Sequence, residues 1–175
     1  MAHQTAVVLL LILGTAATAL ANVVNHPPAP EFDKIVKAES QGDSECPLGW
    51  KYYGGRCFIY KGTALDWASA EKHCLNLDAH LISIHSENEY QLIKALIRAH
   101  DAEENPTWIG LSGCQKMNNF FWSDGTKLTF TKWNPGEPNF RFGECCVLMN
   151  WPYSMNWNDI PCDQTYPFVC AMSVN

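Results

Sequence analysis

Apolar residues recur along this chain in two periods, and the switches between them mark out its elements. Trp67, Ala70, Cys74 and Leu77 fall on one helical face, as do Tyr90, Ile93, Leu96 and Ile97. Each stripe follows a start signal: Thr63-x-x-Asp66 resembles a capping box with Asp in place of the usual Glu, and Ser86-x-x-Glu89 is a full one. Two helices with core-facing stripes are therefore predicted. Short runs bounded by turn residues predict the strands. Cys46-Pro-Leu-Gly-Trp50 and Tyr52 to Phe58 read as a hairpin around Gly54-Gly55, which can bring Cys46 and Cys57 together. Leu81 to Ile84, Trp108 to Leu111, Phe120 to Trp122, Val147 to Met149 and Phe168 to Met172 are the other strand candidates, with a turn at Ser123-Asp124-Gly125. From Trp133 to Asn156 little regular pattern survives, which predicts a long ordered loop region. Loops of that length in a compact domain are usually functional.

The first residues have a different texture. Val7 to Leu13 is an apolar run, too short for a membrane span, followed by small residues ending in Ala19-Leu20-Ala21. That is the layout of a secretory signal peptide over residues 1–21, although the stretch before the run carries no Lys or Arg. Residues 22–45 read as a linker or pro-segment, opening with Asn25-His26-Pro27-Pro28-Ala29-Pro30. Within it Phe32, Ile35 and Val36 form one short apolar stripe, too brief to make a stable helix alone. The compact domain is predicted over residues 46–175.

Export changes the meaning of the eight cysteines, which in an oxidising compartment imply disulfides. Spacing alone leaves their pairing open. Adjacent Cys145 and Cys146 do not suit a bridge to one another. On a strand they would face opposite sides and seek different partners. Charged residues make up only 17% of the chain and tryptophan is plentiful with seven copies, which suits a loop-rich domain held by aromatics and cross-links. The formal charge of −6, with no run of Lys or Arg, argues against nucleic acid or an anionic membrane surface as partner.

The candidate chemistry lies between Trp133 and Cys162. Glu137-Pro138-Asn139, Glu144 and Asn158-Asp159 offer carboxylate and amide oxygens, the ligand set of a hard cation such as calcium. No histidine lies in this stretch, which argues against zinc. His73, His80, His85 and His100 elsewhere show no metal spacing, and there is no phosphate-cradling glycine loop and no nucleophile–base arrangement. An enzyme is not indicated.

The chain resembles the C-type lectin-like domain family from Cys46 to Met172. The matching residues are Cys46-Pro-x-Gly-Trp50, Trp67-x6-Cys74, Leu81-x-Ser83-Ile84, Trp108-Ile109-Gly110-Leu111 and Trp122-Ser-Asp-Gly125. They continue through Glu137-Pro-Asn139, Glu144, Cys146-Val147, Trp157-Asn-Asp159, Cys162 and Phe168-x-Cys170. The resemblance implies an α+β fold with two helices, two small antiparallel sheets and a long ordered loop region, stapled by disulfides. It implies the bridges Cys46–Cys57, Cys74–Cys170 and Cys146–Cys162. Cys114 with Cys145 is then an additional pair, similar to the doubled Cys of fish lectins and fish type II antifreeze proteins. It also implies calcium ligands at Glu137, Asn139, Glu144, Asn158 and Asp159, with a cis bond before Pro138. Glu137, Asn139, Glu144 and Asn158 would then bond the sugar hydroxyls. In this family Glu-Pro-Asn accompanies mannose-type sugars and Gln-Pro-Asp galactose-type sugars. Phe140 and the lack of acids around Gly113-Cys114 depart from members with an auxiliary calcium, so one ion is expected.

The resulting expectation is a secreted, calcium-dependent lectin for mannose-type glycans, acting in innate recognition. A single open sugar site binds weakly, so avidity calls for homo-oligomers or repeated targets. Phe140, Arg141 and Tyr153 are candidates to border the sugar, and Trp157 is assigned to the core. The rival readings are a type II antifreeze-like ice-binding protein and a venom-like module whose loops bind a protein partner.

Overall fold

Asp66, not Thr63, caps the first helix. The computed structural model describes residues 46–174, and in it helix α1 spans Trp67–Leu75. The Asp66 carboxylate accepts the Ser69 N–H at 2.9 Å and the Ser69 hydroxyl at 2.6 Å. These bonds hold its carboxyl below the usual carboxylate range. Thr63 is withheld from that role because strand β2 (Arg56–Leu65) stays paired as far as Leu65 opposite Tyr166. Helix α2 (Glu87–His100) starts as predicted, with Ser86 Oγ accepting the Glu89 N–H at 3.2 Å. The Glu89 carboxylate reaches back to the His85 N–H at 2.6 Å. Tyr90, Ile93, Leu96 and Ile97 are buried on its inner face, together with Leu92 and Lys94.

The remaining strands are β1 (Lys51–Tyr53), β3 (His80–Leu81), β4 (Thr107–Ser112), β5 (Phe121–Trp122), β6 (Cys146–Trp151), β7 (Asn156–Ile160) and β8 (Tyr166–Ser173). Two antiparallel groups, β1-β2-β8 and β4-β6-β7, meet through one parallel pair, Trp108 opposite Phe168. They thus form one mixed sheet in the order β1-β2-β8-β4-β6-β7, with β3 added on β8 and β5 on β4. The strand expected over Leu81–Ile84 is shorter. Ile82 still bridges the two groups, its N–H donating to Val169 O and its carbonyl accepting from Gly110 N–H.

Side-chain alternation divides the core between the sheet's two faces. Ile109, Leu111, Val147, Met149 and Val169 pack with α2 and Trp157, while Trp108, Leu148, Phe168 and Cys170 pack with α1. Gly110 sits where the layers are tightest: a Cβ there would lie 2.5 Å from Leu81 O and 2.8 Å from Ser123 Oγ. The four disulfides join Cys46–Cys57, Cys74–Cys170, Cys114–Cys145 and Cys146–Cys162. This is the pairing implied by the resemblance. Cys74–Cys170 ties α1 to β8, and the last two bridges hold the start of β6.

The predicted irregular stretch is corrected at its far end. It runs from the turn after β5 to Cys145, because β6, the hairpin turn and the start of β7 occupy Cys146 to Asn156, and β7 itself, with Trp157-Asn158-Asp159, was not among the predicted strands. Residues 157 to 160 are buried on both faces, so the strand has no apolar–polar alternation to betray it. The leader at Val7–Leu13 and the stripe of Phe32, Ile35 and Val36 lie outside the described residues. Among the described residues no helix is long and apolar enough to cross a membrane.

Candidate cation site

Strand β7 is the spine on which the long loop is laid. Trp157 N–H donates to Lys132 O at 2.8 Å and Asn134 N–H donates to Trp157 O at 2.9 Å, so Trp133 runs parallel to Trp157. Rings hold this register. Trp157 is fully buried and meets Trp122, Phe130 and Trp133 edge-on at centroid distances of 5.8, 5.8 and 5.9 Å. It is core, as expected. Phe120 packs on Trp133 and on Phe140, carrying the aromatic cluster to the edge of the site.

The loop then turns back. Asn134-Pro135-Gly136 forms a tight turn in which Gly136 has a φ of +88° and Glu137 N–H donates to Asn134 O at 3.1 Å. Asn134 is buried, and its side-chain oxygen accepts the Asn156 N–H at 3.3 Å. Its part in placing the acidic loop was missed from sequence, although Asn-Pro-Gly is a turn signature. The Glu137–Pro138 peptide bond is cis.

Beyond Pro138 the loop docks on Asp159. The Asn139 N–H donates to Asp159 Oδ1 at 3.0 Å and the Phe140 N–H to Oδ2 at 2.9 Å. Asn139 is itself oriented: its amide N–H donates to Glu137 Oε2 at 2.6 Å, and its Oδ1 accepts the Arg141 N–H at 2.8 Å. Glu144 follows the turn at Arg141–Gly143, its N–H donating to Arg141 O at 2.9 Å. Its neighbour Cys145 is fastened to β7 through Ile160 O at 3.2 Å. Asn158 and Asp159 are adjacent on β7 and both buried.

The structure therefore links Asn139 by hydrogen bonds to both Glu137 and Asp159 and puts Glu137, Glu144 and Asp159 within electrostatic reach of one another, while Asn158 adjoins Asp159 along β7. Burial raises the carboxyl pKa of both Glu137 and Glu144, and the negative charge of Asp159 raises each further. Arg141 offsets part of this at Glu144. Among the described residues none of the three acids forms an ion pair with Lys, Arg or His. Two oxygens of the set, Glu144 Oε2 and Asn158 Oδ1, are buried without a hydrogen-bond partner. Carboxylates that raise one another's pKa, with orphaned acceptors beside them in the set, are hard oxygen donors that suit a divalent calcium ion. The residue types fit that ion.

Three residues singled out beside the acids fare differently. Phe140 turns its ring onto Phe120 at 5.4 Å, and Arg141 is exposed in the turn between Asn139 and Glu144. Tyr153 is exposed in the turn between β6 and β7, with a φ of +96°. Phe142, which the sequence did not single out, is 96% exposed in the same turn as Arg141. Cys114, Cys145, Cys146 and Cys162 also converge, with sulfurs within 4.8 Å of one another, but all four are oxidised and offer no thiolate to a metal.

Comparison with known proteins agrees with the fold. The family model described as Lectin C-type domain matches residues 63–172. Ladderlectin of Oncorhynchus mykiss is 38% identical over 138 residues, covering 78% of this chain and 72% of that protein. The type-2 ice-structuring protein of Osmerus mordax is 38% identical over 162 residues, covering 91% of this chain and 89% of that one. Herring type II antifreeze protein superposes with a TM-score of 0.70 at 36% identity, over 74% of this chain and all of that structure.

Proposed function

The chain belongs to the C-type lectin domain family, and from that premise we propose that it is a secreted, calcium-dependent lectin for mannose-type sugars. Residues 1–21 serve as its export signal, residues 22–45 as a linker, and residues 46–175 as the carbohydrate-recognition domain. Glu137, Asn139, Glu144, Asn158 and Asp159 would hold one calcium ion, which when bound offers open coordination positions to two neighbouring hydroxyls of a sugar. The observation that carries this reading is the pair of buried, unpartnered oxygens, Glu144 Oε2 and Asn158 Oδ1, in a set whose three carboxylates form no ion pair among the described residues.

The chain's own groups supply the rest. Glu137 and Glu144 can accept hydrogen bonds from sugar hydroxyls, while the amides of Asn139 and Asn158 can donate them. With the acid at position 137 and the amide at 139, each hydroxyl of a mannose-type pair meets one acceptor and one donor. Exchanging the two reverses that order. The double substitution Glu137→Gln with Asn139→Asp should therefore move retention from immobilised mannose to immobilised galactose. An unchanged sugar profile contradicts the assignment.

A second reading has a specific observation behind it: similarity to the type-2 ice-structuring protein extends over 91% of the chain. On that reading the same surface meets ice instead of sugar. Thermal hysteresis and faceted ice growth in the purified protein, without retention on any sugar, would favour it.

A further inference from the structure

The two disulfides at the start of β6 lie against one another. Across the bridges, Cys114 Sγ is 3.4 Å from Cys162 Sγ, Cys145 Sγ is 3.5 Å from Cys162 Sγ, and Cys114 Sγ is 3.8 Å from Cys146 Sγ. Oxidised sulfurs have no hydrogen to share, so these are contacts between bridges and not hydrogen bonds. Access is unequal. Of the eight half-cystines Cys114 alone is exposed; Cys46, Cys145 and Cys162 are partly covered, and Cys57, Cys74, Cys146 and Cys170 are buried.

We propose that this cluster is a thiol–disulfide exchange site, entered at Cys114 by a low-molecular-weight thiol, which converts the two bridges to Cys145–Cys162 and Cys114–Cys146. Disulfides exchange by attack of a thiolate on one sulfur, with the electron pair leaving on the other. The external thiolate bonds to Cys114 Sγ; the Cys114–Cys145 bond breaks and its electron pair leaves on Cys145. That thiolate lies 3.5 Å from Cys162 Sγ, where its attack forms Cys145–Cys162 and leaves the pair on Cys146. Cys146 then lies 3.8 Å from the Cys114 sulfur of the mixed disulfide, and its attack forms Cys114–Cys146 and returns the external thiolate. Two bridges enter and two leave. No oxidant or reductant is consumed.

Exposure is what selects Cys114 as the entry point. Entry at Cys145 would reach the same two bridges in the opposite order, Cys114 attacking Cys146 at 3.8 Å and the released Cys162 attacking Cys145 at 3.5 Å, but Cys145 is partly covered. Only the branch in which Cys114 attacks Cys162 is closed, because it would leave adjacent Cys145 and Cys146 to pair, and neighbouring Cα atoms are about 3.8 Å apart, below the ~4.4 Å lower end of the usual disulfide range. Both contacts required by the Cys114 route are already in place. The exchange stands apart from the proposed sugar binding, although it re-anchors Cys145, the neighbour of Glu144.

The test uses the full oxidised chain in chelator, incubated with reduced glutathione and quenched with an alkylating reagent. Fragmentation between Cys145 and Cys146 then locates the label. The expected result is glutathione on Cys114, with at least about a tenth of the alkyl label on Cys146. Label confined to Cys145, or an adduct-free chain whose fragments still carry only Cys114–Cys145 and Cys146–Cys162, overturns the proposal. In Cys114→Ser, Cys145 starts as a thiol without any added reagent, and label should again divide between Cys145 and Cys146. Label on Cys145 alone in that variant overturns it equally, and the wild-type arm decides should the variant not fold.

Discussion

The Asn139 N–H donates to Asp159 Oδ1 at 3.0 Å, joining the acidic loop to strand β7 across twenty residues of sequence. Phe140 N–H adds a second bond to the other carboxylate oxygen. Through this one side chain the loop that carries Glu137 and Asn139 is fixed against the strand that carries Asn158.

Replacing Asp159 with Asn keeps the size but turns one acceptor into a donor facing a backbone N–H. Hydrogen bonds to charged groups are worth about 1.5–3 kcal/mol each. The variant should remain folded, melt at lower temperature, and bind calcium at least about tenfold more weakly, a change of ~1.4 kcal/mol. Calorimetric titration with calcium checks it; unchanged affinity would remove Asp159 from the site.

Protonation of the site has a defined sign. Burial and the charge of Asp159 raise the carboxyl pKa of Glu137 and Glu144 in the folded, calcium-free chain. A raised acid contributes stability that is full below its unfolded pKa and is lost as pH rises through the folded value. In chelator, Glu144→Gln should therefore be more stable than the parent at about pH 7, with the gap closing towards about pH 4. With calcium the order should reverse. Thermal melts in both conditions decide, and a variant less stable in chelator at neutral pH would contradict the repulsion described.

Gly110 is required by space and not by backbone conformation. A Cβ there meets the Leu81 carbonyl at 2.5 Å, a backbone atom that cannot swing aside. Gly110→Ala should cost about 1–3 kcal/mol through overpacking, read from denaturant unfolding. Stability within error of the parent would show that β3 and β4 can part.

Legibility in the sequence followed the range of the interactions. The face of α2 and its Ser86 cap were readable because both depend on residues within a few positions. Thr63 was mistaken for the first cap because pairing of β2 with a strand a hundred residues later kept it extended. Strand β7 was hidden by burial of Asn158 and Asp159, whose types suggest a loop. The single parallel pair that joins the sheet, Trp108 with Phe168, is too sparse to leave a pattern. At the candidate site the oxygen-bearing residues were visible by type. Their convergence was carried by the family resemblance alone and by no local pattern, because it rests on backbone bonds from Lys132, Asn134 and Cys145 to β7.

The central claim is that these residues hold calcium and that sugar binding depends on it. The direct measurement is retention of the purified chain on immobilised mannose in calcium, followed by addition of EDTA. The account predicts retention in calcium and prompt elution by the chelator. Failure to bind mannose, or elution unaffected by EDTA, would contradict it.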